Sequence, residues 1–174
     1  MISLDAFISS VSGLSRPLRA LLTIDDEPTV QVDAHASQAV LTALAAGDDH
    51  LLREASVGRF WEPLKRANPH LTKDHIKEET YRQIYGGKSE ILNSTYPVTA
   101  AYIVGKNGRE LARTNQKLEK SIFIDGVLNE LYGKSVFAVP IHDCILCRQQ
   151  DAEMVRSAVA AHWVSLTGFR PYLS

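Results

Sequence analysis

Four residues recur at every fourth position of one segment, KDHIKEETYRQIYG: Lys73, Lys77, Tyr81 and Tyr85. On an α-helix a step of four advances the face by about 40°, so the four lie on one slowly winding stripe. Two ammonium groups followed by two rings suit a nucleoside triphosphate, with cations on the phosphates and rings near base and sugar. The plain alternative is a solvated Lys/Glu face with two core tyrosines. Two aspartates stand far to either side. Asp33 ends the alternating, β-branched stretch Thr29-Val-Gln-Val-Asp33. Asp143 shares with His142 the tight turn between two strand-like runs, 135–141 and 144–147.

The elements that must position these residues follow from turn and cap signals. Residues 1–22 have helical spacing interrupted at Ser15-Arg16-Pro17, with Pro17 in the first turn of a second short helix. Asp25-Asp26-Glu27-Pro28 is a turn, followed by the strand that ends at Asp33. A helix over 36–46 stops at Gly47-Asp48-Asp49, and 50–67 is helical with Gly58 as a weak point. Asn68-Pro69 breaks the chain, Thr72 caps a helix over 73–85, and Gly86-Gly87 ends it in the left-handed region. A helix within 88–102 is broken by Pro97, Lys106-Asn107-Gly108 turns, and 111–131 is one long helix. After the Tyr132-Gly133-Lys134 turn and the hairpin, Asp151 caps a last helix that carries Ala152, Val155, Val159 and Trp163 on one side and ends at Gly168.

Composition narrows the classes. At 174 residues, 45% hydrophobic and 22% charged, the chain is that of a globular domain rather than a disordered or fibrous protein. A net charge of −1 excludes a basic, histone-like coat but not a local basic patch. The start, MISLDAFISSVSGLSR, has no basic n-region, and Asp5 interrupts its apolar run. No segment reaches the ~20 apolar residues of a membrane span. With only 2 cysteines no disulfide scaffold can be built, which points to a reducing, cytoplasmic location. Cys144 and Cys147 are too few for zinc and, three apart in a strand, point to opposite faces as buried structural residues. The other histidines, 35, 50, 70, 75 and 162, lack ligand spacing, and no phosphate-loop, dinucleotide or nucleophile-elbow motif is present.

The helix bearing Lys73, Lys77, Tyr81, Tyr85 and Gly86 resembles the fingers helix of family A DNA polymerases and the related single-subunit phage RNA polymerases, whose pattern is R/K-x3-K-x3-(F/Y/M)-x3-Y-G. Val30-Gln-Val-Asp33-Ala-His-Ala-Ser-Gln38 is similar to that family's motif A, and Val139-Pro-Ile-His142-Asp143-Cys144 to its motif C. Residues 13–47 are also similar to the lead-in to motif A in phage- and mobile-element-type relatives. The three motifs stand in the family's order, and the resemblance covers most of 13–174.

This resemblance implies an α+β fold: a small antiparallel palm sheet backed by helices, with a helical fingers sub-lobe. The palm would take 1–55 and 109–174, and the fingers 56–108. It implies template-directed nucleotidyl transfer with Mg²⁺ or Mn²⁺ held by Asp33 and Asp143. Two such ions about 3.5–4 Å apart serve the attacking and leaving oxygens, and Mg²⁺ takes one or two carboxylates plus phosphate oxygens. Lys77 would touch the triphosphate and give a proton to the leaving pyrophosphate. Lys73 would hold the γ-phosphate, Tyr81 would line the nucleotide pocket, and Tyr85 would sit near the templating base. Gln38 stands where DNA-making members place a bulky Glu that blocks a 2′-hydroxyl, which leans towards deoxynucleotides. His142 is either a primer-end contact or a turn histidine. Arg82, Arg113, Asn115 and Glu119 fall where template and primer are touched.

The pattern also departs from the family. Arg82 occupies a slot that is often Gly, and Cys144 replaces a carboxylate that often follows the His-Asp pair. About 30 residues precede motif A, so thumb and proofreading domains are expected to be absent. Phosphate neutralisation dominates nucleic-acid affinity, so a chain of this charge should bind DNA primer–templates or ends weakly, or rely on a partner protein for processivity. RNA is the alternative nucleic acid. A non-catalytic nucleotide- or nucleic-acid-binding palm module, or a fragment working within a replication complex, is the competing reading.

Overall fold

The computed structural model describes residues 13–19, 21–141 and 143–174. The helical reading of the first dozen residues, and His142, lie outside the described residues. The chain divides into two compact units, Met1–Ala34 with Glu119–Ser174, and His35–Leu118.

The first unit is built on an antiparallel sheet of β1 (Thr23–Ile24), β2 (Glu27–Asp33), β3 (Ala138–Ile141) and β4 (Cys144–Arg148), in the spatial order β1-β2-β4-β3. The short helix α1 (Arg16–Arg19) precedes it, with Pro17 in its first turn. Asp25 and Asp26, at φ 53° and 63°, form the two-residue loop between β1 and β2. Two left-handed residues match the twist of a tight hairpin, and β2 accordingly begins at Glu27, two residues before the expected strand. In β2–β4 the Cα partners run from Thr29↔Arg148 to Asp33↔Cys144, and in β3–β4 from Ala138↔Cys147 to Ile141↔Cys144. Pro140 lies in β3, at the sheet edge, where its missing N–H breaks no ladder. The register puts Gln31, Asp33, Cys144, Leu146, Val139 and Ile141 on one face, where Val139, Ile141, Cys144 and Leu146 form an apolar cluster with Leu22 against it. Val32, Ile145 and Cys147 occupy the opposite face and are fully buried.

The last helix of this unit, Ala152–Thr167, packs on β2 and β4 through a core that includes Val155, Val159 and Trp163. Gly168 stops it at φ 69°. Asp151 does not cap it with its side chain. Its carboxylate accepts instead from Arg148 Nε at 2.8 Å, and a 3-10 turn over Gln149–Asp151 leads into the helix. The expected single helix over 111–131 is also three pieces: an α-helix Gly108–Lys120, a π-helix Ser121–Leu128, and a short α-helix Asn129–Gly133. Gly126 lies in the π segment against His162, and a Cβ there would stand 2.6 Å from its Nδ1.

The second unit is helical. It contains α2 (Ser37–Ala46), α3 (Asp49–Ser56), α4 (Trp61–Ala67), α5 (Lys73–Ile84), α6 (Pro97–Val104) and the start of α7 (Gly108–Lys120). The π segment separates α7 from α8 (Asn129–Gly133), and the final helix is α9 (Ala152–Thr167). Continuous burial from Ser37 to Ala43 makes α2 the central helix, against which α3, α5 and α6 pack. The weak point at Gly58, at φ 76°, is a full break between α3 and α4. Pro97 opens α6 instead of breaking a helix, because its fixed φ and missing N–H are tolerated at the first helical position. Asp48 is buried at 2% exposure. Its carboxylate caps α3 by accepting from Leu51 N at 3.0 Å, and it holds the start of α6 by accepting from Thr99 N and Oγ1 at 3.1 and 2.7 Å.

Candidate functional site

Asp33 and Asp143 are brought together by the sheet. Asp33 is the last residue of β2, directly opposite Cys144, and Asp143 immediately precedes β4. Ala34 N donates to the Asp143 carbonyl at 3.1 Å, so the loop aspartate is stitched to the residue after Asp33. Asp33 uses its own backbone on its other edge: its N–H donates to Ser174 O at 3.0 Å and its carbonyl accepts from Ser174 N at 3.1 Å. Asp33 and Cys144 are therefore a non-hydrogen-bonded pair, the class in which Cα atoms stand about 4.5 Å apart and side chains are closest. Both aspartates are half-buried, in keeping with carboxylates at the rim of a sheet. Each has an interaction within the protein, as does Cys144. Among the described residues no group of three or more His, Cys, Asp or Glu is arranged to hold a metal ion.

Sequence reasoning missed the contribution of 173–174. These residues pair with β2 at Asp33 and Ala34, which fixes the backbone of Asp33 on both sides. No local pattern marks so short a pairing, because it depends on where α9 returns the chain.

The cysteines sit as their spacing suggests, both buried and on opposite faces. Cys144 Sγ lies 3.7 Å from Gln31 Oε1. Burial, with a smaller contribution from the Asp151 charge, pushes the Cys147 thiol up to about 11.

In the second unit α5 carries the stripe. Thr72 Oγ1 accepts from His75 N at 3.2 Å and starts the helix, which buries Ile76, Thr80, Gln83 and Ile84. The complementary side presents Lys73 and Tyr85 exposed and Lys77 and Tyr81 half-buried, so neither tyrosine is a core residue. The Tyr81 and Tyr85 rings stack, with centroids 6.2 Å apart and planes at 17°. Trp61 of α4 meets Tyr81 edge-on at 6.3 Å, and Lys77 Nζ lies over the Trp61 ring at 5.6 Å. A cation over an indole is worth roughly 0.5–2 kcal/mol, depending on desolvation. The ammonium is thus held on an aromatic support. Sequence reasoning missed Trp61, although the i,i+4 pair Trp61 and Lys65 was a signal that α4 shows the same mixture of ring and charge.

The end of α5 is fixed by glycines. Gly86 has φ 79°, and a Cβ on Gly108 would lie 2.3 Å from the Tyr85 carbonyl oxygen, so only glycine lets α7 start against the end of the stripe.

The remaining candidates fall in varied surroundings. Gln38 is 8% exposed, and its carbonyl accepts from Thr42 Oγ1 at 2.8 Å and Asn115 Nδ2 at 3.3 Å. Its side-chain Oε1 has no hydrogen-bond partner among the described residues. Asn115 is itself 1% exposed and also donates to Thr42 Oγ1 at 2.9 Å, so it ties α7 to α2. Arg82 is held on its own helix, to Glu78 at 2.7 Å and Glu79 at 2.5 Å. Arg113 is exposed and Glu119 half-buried on α7.

Among the described residues, no helix is long and apolar enough to cross a membrane. No protein-family model and no curated protein matches the sequence.

Proposed function

We propose that the chain is a metal-dependent nucleotidyltransferase similar to family A polymerases, acting on nucleoside triphosphates and a DNA primer–template or end. The observation that carries this reading is the register of β2 and β4, which sets two aspartates side by side at one end of a small antiparallel sheet. Two half-buried aspartates whose backbones adjoin at one end of the sheet fit Mg²⁺ or Mn²⁺, which take one or two protein carboxylates and complete their shell with water and phosphate oxygens. Such ions, when bound, stabilise the attacking and leaving oxygens of an in-line displacement.

The chain's own residues do the rest. Asp33 and Asp143 hold the ions. Lys77, steadied over Trp61, supplies positive charge to the triphosphate and a proton to the departing pyrophosphate. Lys73 adds charge for the terminal phosphate, without the bidentate fork of an arginine. Tyr81 and Tyr85, stacked as a pair, offer π-faces to base and sugar. Gln38, bulky and near the start of α2, favours deoxynucleotides, while His142, Arg82, Arg113, Asn115 and Glu119 are the proposed contacts to template and primer. The burial of Asn115 and the glutamate pairing of Arg82 make Arg113 the readier phosphate contact of the set.

The test is extension of a labelled primer–template with dNTPs, and in parallel rNTPs, in the presence of Mg²⁺ or Mn²⁺. Extension that disappears in Asp33→Asn and Asp143→Asn supports the reading. Absence of extension, or its survival in both variants, refutes it. Nucleotide or DNA binding without turnover would instead mark a non-catalytic palm module, the reading favoured by Cys144 standing opposite Asp33 in place of a further carboxylate.

A further inference from the structure

Within the first unit, α9 and the segment that follows it enclose a cavity of about 280 Å³. Glu153, Arg156 and Ser157 line it from the helix, at i, i+3 and i+4 and so on one face. Arg170, Pro171 and Leu173 line it from the segment. The chain turns out of α9 at Gly168, at φ 69°, and Thr167 stitches that turn: its Oγ1 accepts from Phe169 N at 3.1 Å and donates to Trp163 O at 2.7 Å. The two cations are not equally engaged. Arg156 Nη1 donates to Glu153 Oε1 at 2.6 Å, a pair whose glutamate side chain is 86% exposed and screened by solvent, and most of the guanidinium fork is left unspent. Arg170 is exposed, and among the described residues neither it nor the Ser157 hydroxyl has a hydrogen bond or ion pair. Two guanidinium groups and a hydroxyl against a single carboxylate leave the cavity with a positive balance, suited to an oxyanion.

We propose that this cavity binds a free phosphate ion, with Arg156 and Arg170 on its oxygens and Ser157 donating a further hydrogen bond, and that the bound ion pins the segment that holds the Asp33 backbone. Two guanidinium forks can each meet a pair of oxygens on a tetrahedral phosphate, whereas a planar carboxylate has a single pair to offer. The volume falls below the roughly 300–1,000 Å³ of sites for larger small molecules, which suits the ion with its waters rather than a bulky phosphate ester. The pinning follows from the chain. Leu173, which lines the cavity, bridges to Ala34, and Ser174 exchanges both backbone hydrogen bonds with Asp33. An ion that joins Arg156 on the helix to Arg170 on the segment therefore fixes the run of chain between the end of α9 and Asp33. Neither a nucleotide nor a divalent metal takes part, so the site goes beyond the transferase reading and does not depend on it.

The experiment is isothermal titration calorimetry of the full chain with inorganic phosphate, in a chloride buffer of constant ionic strength, with acetate and phenyl phosphate as comparison ligands. Phosphate is expected to bind, and acetate and phenyl phosphate to bind about tenfold more weakly or not at all. Arg170→Ala and Arg156→Ala should each weaken phosphate about tenfold or more, and Arg170→Lys should recover part of the loss. Glu153→Gln should tighten binding, because it removes the carboxylate on the cavity wall. Arg59→Ala, which alters an exposed arginine paired with Glu54, should change nothing. Hydrogen exchange at the Asp33 and Ser174 amides should slow with phosphate in the parent chain and not in Arg170→Ala. No phosphate binding, equal binding of phosphate and acetate, or equal weakening by Arg170→Ala and Arg59→Ala overturns the site. Phosphate binding that leaves exchange at Asp33 unchanged overturns the pinning. A chain that binds phosphate in this way and fails to extend a primer keeps the site and loses the transferase reading.

Discussion

Asp33 and Asp143 carry the chemistry proposed for this chain, and replacing either with asparagine changes charge but little volume. Loss of a metal-bound carboxylate removes several kcal/mol of transition-state stabilisation, so each variant should extend primers about 10³-fold more slowly or worse. Thermal unfolding should be nearly unchanged, which separates a lost metal from a lost fold. Lys77→Ala should cost about 10²-fold in rate, the lower range for a missing proton donor. Trp61→Leu keeps bulk but removes the indole beneath the ammonium and should produce a smaller drop in the same direction. Cys147 offers a check on burial. Its thiol pKa of about 11 in the folded chain stands above the ordinary 9.0, so the folded state holds its proton longer. That contribution is complete below about pH 9 and is lost as pH rises towards 11. Denaturant midpoints should therefore fall across this window, and Cys147→Ala should flatten the slope.

At the scale of elements, two contacts decide whether the stripe is presented. A Cβ at Gly108 would stand 2.3 Å from the Tyr85 carbonyl, a backbone atom that cannot swing away, so Gly108→Ala should destabilise by about 1–3 kcal/mol in urea unfolding. Asp48→Ala removes one acceptor for three donors and strands the Thr99 hydroxyl in a buried site, with a cost on the order of 1–3 kcal/mol for each unsatisfied group. Much of this level was legible beforehand. The alternating run to Asp33, the Thr72 cap, the 73–85 helix and the tight turn at Asp143 follow from local signals that the structure keeps. What was not legible depends on distant partners. Asp151 fails to cap because Arg148 engages its carboxylate. The helix read across 111–131 widens into a π segment that carries Gly126 against His162, and its apolar spacing remains helix-like, so sequence periodicity could not show the change. Asn115, expected as a contact to template or primer, is buried because α2 supplies Thr42 and the Gln38 carbonyl as partners.

For the whole molecule, the α+β class that the resemblance implied holds: a four-stranded antiparallel sheet in one unit and a helical second unit. The division falls at 34/35 and 118/119, so the aspartates belong to the first unit and the cationic stripe to the second. The nucleotidyl transfer proposed here depends first on a divalent ion held by Asp33 and Asp143. The direct measurement is Mn²⁺ titration followed by electron paramagnetic resonance, with and without a nonhydrolysable nucleoside triphosphate. Nucleotide should sharpen Mn²⁺ uptake by the parent chain, and Asp33→Asn and Asp143→Asn should each abolish that gain. Uptake unaffected by the two substitutions, or equal with and without nucleotide, would contradict the pairing of these carboxylates as a metal site.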